Sequence, residues 1–254
     1  MADGVENLRY ASLFGVSLEA RPGESLGTFY GYDFLYDDAG NKLVDGDGYY
    51  LSTDEVVDIG SILPDYTGGV YNALSIGNLR LSALIDFQKG GSLHSYSNQW
   101  GKYSGTLAET ALDDMRQDDD GDGISGVVVD GMTAEQDAEG NWMSTGEANA
   151  SVISAGAHFF YNQGYVIHAA DQYDASFVKL REMRLDYDLP ANALGDLPFY
   201  NVSIGVYGRN LALLYSNAPH IDPEVTTSAS NIQGFEGGQL PAERTIGINL
   251  KLTL

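Results

Sequence analysis

Cysteine is absent from the 254 residues, so disulfides, thiolate metal sites and thiol chemistry are all excluded. Bases are scarce: 13 Lys and Arg face 36 Asp and Glu, for a net charge of -23. A surface of that sign repels phosphate backbones, which excludes nucleic acid as a partner. No apolar run reaches the roughly 18 residues of a membrane-spanning helix, but strands that alternate average out in any hydropathy window, so a barrel stays open. The start, MADGVENLRY, lacks the basic and apolar regions of a secretory signal, so Met1 reads as a cytoplasmic start or as an internal, truncated one. The motifs of common catalysts are missing too. There is no GxSxG elbow, no phosphate loop and no HExxH, and His94, His158, His168 and His220 are scattered. No enzyme is expected.

What is present favours strands. Tyr occurs 17 times and Gly 31 times, and apolar residues recur at alternate positions. In RTIGINLKLTL, Ile246, Ile248, Leu250, Leu252 and Leu254 share one face, with Thr245, Gly247, Asn249, Lys251 and Thr253 on the other. The length suits a tilted strand of about 9–11 residues crossing a bilayer, and equally a long edge strand on a soluble sheet. Asn78 to Gln88 alternates likewise, Leu79, Leu81, Ala83, Ile85 and Phe87 against Arg80, Ser82, Leu84, Asp86 and Gln88. Asn201 to Arg209 sets Val202, Ile204 and Val206 against Ser203, Gly205, Tyr207 and Arg209. In SFVKLREMRLDYDL the parity breaks: Val178 and Leu180 are even, while Met183, Leu185, Tyr187 and Leu189 are odd. One extra residue near Arg181 and Glu182 restores the face, so a β-bulge is predicted there. The charges Arg181, Glu182, Arg184 and Arg209 read as cross-strand ion pairs or a binding site.

Further β-rich stretches are expected over 8–18 and 26–36, joined by a turn at Arg21, Pro22 and Gly23, and over 155–168. Asp37 to Asn41 and Asp45 to Gly48 form turn clusters. Between 90 and 150 no period persists, and from Asp113 to Glu147 eleven acids accompany one base, Arg116. The region is expected to be a long acidic loop, with Ser104 to Gln117 as the best helix. Within it Asp118, Asp120 and Asp122, followed by Gly123, reproduce the first half of a calcium loop, in which hard oxygen ligands converge around a glycine bend. The closing ligand is displaced, because the twelfth position of that frame is Val129 and the nearest acid is Asp130. Trp100 and Trp142 are candidates for stacking on a sugar, or for local packing.

Six segments together resemble the SusC/RagA type of TonB-dependent outer-membrane transporters: residues 27–41, 62–74, 79–97, 174–190, 207–224 and 237–254, in the order of that family's C-terminal strands. The resemblance implies an all-β fold: antiparallel up-and-down strands forming about the last seven or eight of a barrel of about 22 strands, with long extracellular loops. Residues 1–254 would then be a C-terminal portion, without the plug and N-terminal part. It further implies import of glycans or peptides, a SusD-like lipoprotein lid, energy from the TonB complex, and an outer-membrane location in the lipid bilayer. Leu254 departs from the aromatic on which such barrels usually end. The competing reading is a soluble or surface-attached β-sandwich that binds glycans with Ca²⁺.

Overall fold

The computed structural model describes residues 6–111, 115, 125–195, 198–226 and 232–254. Its strands are β1 (Leu8–Leu13), β2 (Val16–Ala20), β3 (Thr28–Gly31), β4 (Leu43–Val44), β5 (Val57–Ser61), β6 (Pro64–Ile76), β7 (Leu79–Gly90) and β8 (Ser92–Ser95), followed by helix α1 (Tyr96–Ser104). Then come β9 (Met132–Gln136), β10 (Trp142–Ala148), α2 (Ala155–Tyr161), β11 (Gln172–Asp174), β12 (Phe177–Asp188), α3 (Ala191–Leu194), β13 (Asn201–Ser216), β14 (Phe235–Glu236) and β15 (Thr245–Thr253). The seven or eight strands expected resolve, among the described residues, into five long ones of 9 to 16 residues and ten short ones.

The chain forms two compact units. One is built from Pro64–Gly91, Asp174–Val225 and Leu240–Leu254 and is a single five-stranded sheet in the order β15-β13-β12-β7-β6, antiparallel throughout. Ile76 pairs with Leu79 across a two-residue loop whose first position is Gly77, at φ +57°, the place where such a hairpin needs glycine. The β12–β7 and β12–β13 ladders both shift between Leu180 and Glu182, so the bulge sits where the sequence parity breaks and Arg181 is the extra residue. Asn210, at φ +50°, lies in the matching irregularity of β13, and Arg181 Nη1 donates to its Oδ1 at 3.1 Å.

The other unit comprises the chain up to Leu63, Ser92–Tyr173 and Thr226–Gln239. It holds three small sheets, β1-β2-β3-β5, β10-β9-β4 and β11-β8-β14. Two apolar clusters fill it: Val16, Leu18, Phe29, Tyr96 and Phe235, and then Phe34, Val44, Tyr50, Val129, Ile153 and Ile167. Within the region 90–150, between β7 and β12, the described residues form β8, α1, β9 and β10. The helix expected over 104–117 lies partly outside the described residues, and over 105–111 no α-helix forms: α1 ends at Ser104, with Ser95 Oγ accepting from Asn98 N and Gly105 closing the far end at φ +73°. Residues 155–161 are helical rather than extended, started by Ser154, which accepts from Ala157 N. In both helices the caps outweigh a composition that favours strands.

Glu19 in β2 is buried and accepts hydrogen bonds from Ser17, Arg9, Arg21 and Asn7. Burial alone would raise its pKa, but these donors outweigh burial and hold it below the ordinary carboxylate value. A depressed carboxylate stabilises the fold above its unfolded pKa, and that contribution is lost as pH falls through the folded one. Glu19→Gln should therefore flatten the acid limb of a melting temperature against pH curve; an unaltered limb would remove Glu19 from the account.

Candidate functional site

The five-stranded sheet presents two chemically opposite faces. Register aligns Leu74, Leu81, Leu185, Val206 and Ile248 in one row across all five strands, and Ile76, Leu79, Tyr187, Ile204 and Leu250 in the next. Side chains buried in a soluble core would be covered, yet those of the first row are 39% to 76% exposed and those of the second are exposed as well. So broad an apolar face exceeds what soluble monomers leave to water and matches a hydrocarbon solvent.

The opposite face is polar and laced with ion pairs. Arg209 Nε meets Glu182 at 3.0 Å from the neighbouring strand, Arg184 Nε meets Asp186 at 2.6 Å, and Asn249 Nδ2 donates to Asp186 at 3.2 Å. Gly205 makes that last bond possible: a Cβ there would lie 2.1 Å from Asp186 Oδ1 and 2.7 Å from Asn249 Oδ1. At the bulge Arg181 reaches Asp86 at 2.6 Å and Glu224 at 2.7 Å, and Lys179 Nζ binds both Asp222 and Glu224. Burial pushes the pKa values of Asp222 and Glu224 up, but the hydrogen bond from Lys179 to Asp222 and those from Arg181 and Lys179 to Glu224 more than offset it and hold both below the ordinary carboxylate value. The bulge thus fastens residues 222–224 to the charged face. Arg181, Glu182, Arg184 and Arg209 serve as ion-pair partners, as one of the two sequence readings held. Asp222 and Glu224 carried no sequence signal, since a lone acid in a loop does not name its partner.

Arg181 is the residue by which β12 exceeds β7, so deleting it should leave Val178, Leu180, Met183, Leu185 and Tyr187 in unbroken alternation and remove only the ties to Asp86 and Glu224, whereas a second residue inserted after it should turn charges onto the apolar face. The expected result is that the insertion loses the heat-modifiable electrophoretic migration of a folded barrel while the deletion and Arg181→Ala keep it; normal migration of the insertion would dismiss the bulge as a register device.

Of the other predicted site residues, Trp100 and Trp142 belong to the unit of small sheets. Trp100 sits on α1, 41% exposed, with Phe14 at 5.7 Å and Tyr96 at 5.8 Å between ring centroids. Trp142 is in β10, paired with Gln136 of β9. Asp118, Asp120 and Asp122 lie outside the described residues, and no group of three metal-binding side chains occurs among the described ones. Beneath Trp100, Lys102 of α1 binds the fully buried Asp171 at 2.9 Å. Burial lowers the Lys102 pKa, but the Asp171 charge more than compensates and raises it.

No family model matches the chain. Among curated proteins it is 27% identical to TonB-dependent receptor P3 of Formosa agariphila, over 91% of the chain, and 28% identical to TonB-dependent receptor P26 of the same organism, over 82%. Solved structures of the RagAB peptide importer in its closed-closed state (TM-score 0.60, 18% identity) and of the RagAB peptide transporter (TM-score 0.58, 17% identity) cover 98% and 99% of the chain. In fold the chain is SusC/RagA-like. It spans about a fifth of the curated relatives, 22% and 19% of their lengths, and covers 25% of each solved chain. The SusC/RagA-like fold agrees with an all-β partial barrel, and the relatives are named as receptors, not as enzymes.

Proposed function

We propose that the chain supplies barrel wall, lumenal surface and outer loops to an outer-membrane TonB-dependent transporter that imports glycans or peptides under a SusD-like surface lipoprotein. The observation that carries this reading is the exposed apolar face of the five-stranded sheet, backed by an ion-paired polar face. Lipid satisfies the first and a wet lumen the second. A soluble calcium-dependent glycan-binding sandwich would have to leave the apolar face bare in water. On the proposed reading residues 90–150 and 217–240 lie nearest the cargo and the lid. Fractionation tests the membrane assignment: the protein should stay with the outer membrane and need detergent for extraction, and a soluble protein in salt alone would refute it. Uptake of labelled oligosaccharide and of labelled peptide by cells carrying the whole transporter then names the cargo.

Calcium at Asp118, Asp120 and Asp122 belongs to the same proposal. Isothermal titration should show heat at or below millimolar Ca²⁺, and a flat titration removes the metal.

A further inference from the structure

A second site lies in the unit that holds the small sheets. A cleft of about 580 Å³, within the roughly 300–1,000 Å³ of small-molecule sites, is lined by Tyr36, Asn41, Lys42, Asp130, Met132 and Asn149, among others. Its frame is stiff. Asp37 Oδ1 accepts from the backbone of Ala39 and Asn41, closing the loop on one side. On the other, Gly131 lets the backbones approach so closely that a Cβ there would lie 2.7 Å from the Lys42 carbonyl oxygen.

The charges in this cleft are arranged unusually. In a chain of net charge -23, Lys42 has no ion pair among the described residues; the other described bases without one are Arg244 and Lys251, both exposed. Instead its ammonium lies 3.9 Å from the Phe34 ring centroid and 4.8 Å from that of Tyr50. Tyr50 in turn donates its hydroxyl to Asp130. A tyrosine therefore holds a cation and an anion of one cleft apart, beyond ion-pair distance, and neither neutralises the other. Asn41 and Asn149 are already engaged, with Asp37 and with the Val129 carbonyl oxygen, so they offer no free amide array for sugar hydroxyls. Val128, Met132 and Ala148 supply an apolar wall.

We propose that this cleft binds a small zwitterion of dipeptide size, its carboxylate on Lys42 and its ammonium on Asp130, with Tyr50 setting the spacing. The proposal rests on the transport reading in that residues 128–132 and 148–149 of the cleft fall within the region placed nearest the cargo, but binding to this chain is read separately from membrane fractionation, so either can fail without the other. Calorimetry on the full 254-residue chain in detergent tests it with leucyl-alanine, its N-acetyl form, its C-terminal amide and galacturonate. The free dipeptide should bind at least about tenfold more tightly than either blocked form, the size expected for losing one charge-assisted contact. Lys42→Met should erase the preference for the free carboxylate, and Asp130→Asn the preference for the free amine, with circular dichroism unchanged. Because the comparison of free and blocked ligands uses the unaltered chain, it stands even if a variant fails to fold. No binding of leucyl-alanine, equal binding of the blocked forms, or tighter binding of galacturonate would each overturn the proposal.

Discussion

Lys102→Met should destabilise the small-sheet unit by about 3–5 kcal/mol, the cost of removing one partner from a buried ion pair. Asp171 is fully buried, and its carboxylate accepts from Lys102 Nζ at 2.9 Å, from Gly164 N at 3.1 Å and from the Tyr173 hydroxyl at 3.2 Å. Without the ammonium, two neutral donors remain to hold a charge that water cannot reach. Lys102 also donates to Gln163 Oε1 at 3.2 Å, so the same substitution loosens α1, which carries Trp100, from the segment 163–173. The double variant Lys102→Met, Asp171→Leu removes both charges and should recover most of the loss, because replacing a buried pair by apolar groups is often close to neutral. Chemical denaturation of the three proteins measures this. A single variant as stable as the parent would mean that Asp171 takes up a proton or finds solvent, and the pair would then not be what fixes α1.

The sheet was legible in the sequence because one of its faces is apolar and the other polar, and that difference writes a period of two into β7, β13 and β15. The parity break at Arg181 and Glu182 was legible for the same reason, since a bulge leaves its mark only where the faces differ. The small-sheet unit offered no such record. β4 and β14 are two residues each, too short to show a period, and their parallel partners lie far away: Leu43 pairs with Met132, and Phe235 with His94. Helix α1, YSNQWGKYS, has no apolar stripe, so Ser95 and Gly105 as its caps were the available signal. The candidate site divides in the same way. Asn249 and Lys251 were placed on the polar face by alternation alone, whereas the ties from Lys179 and Arg181 to residues 222–224 join side chains some 40 positions apart and follow no local rule. The cleft beside Lys42 is assembled from three stretches, 36–42, 128–132 and 148–149, and only the turn chemistry of Asp37 to Asn41 hinted at any part of it.

Leu185→Arg is the sharpest test of the solvent on the apolar face. Leu185 lies mid-strand in β12, paired with Leu81 on one side and Val206 on the other, in the middle strand of the five. If water covered this face, an arginine there would be nearly silent, since exposed substitutions usually fall within about 0.5 kcal/mol of neutral. In a bilayer a charge at the midplane costs about 2–4 kcal/mol, and the cost falls toward either interface. Two features make the result readable. Arginine scanned along the row partners Leu81, Leu185, Val206 and Ile248 should be costly in a graded way, since strands tilted by about 35–45° step the paired residues in depth from one strand to the next. Thr253→Arg, exposed on the polar face opposite Asn201, should by contrast leave folding intact. Folding titrations into vesicles of defined lipid supply the numbers. Near-neutral arginines at all four positions would return the face to water, and with it the whole assignment of this sheet to a barrel wall.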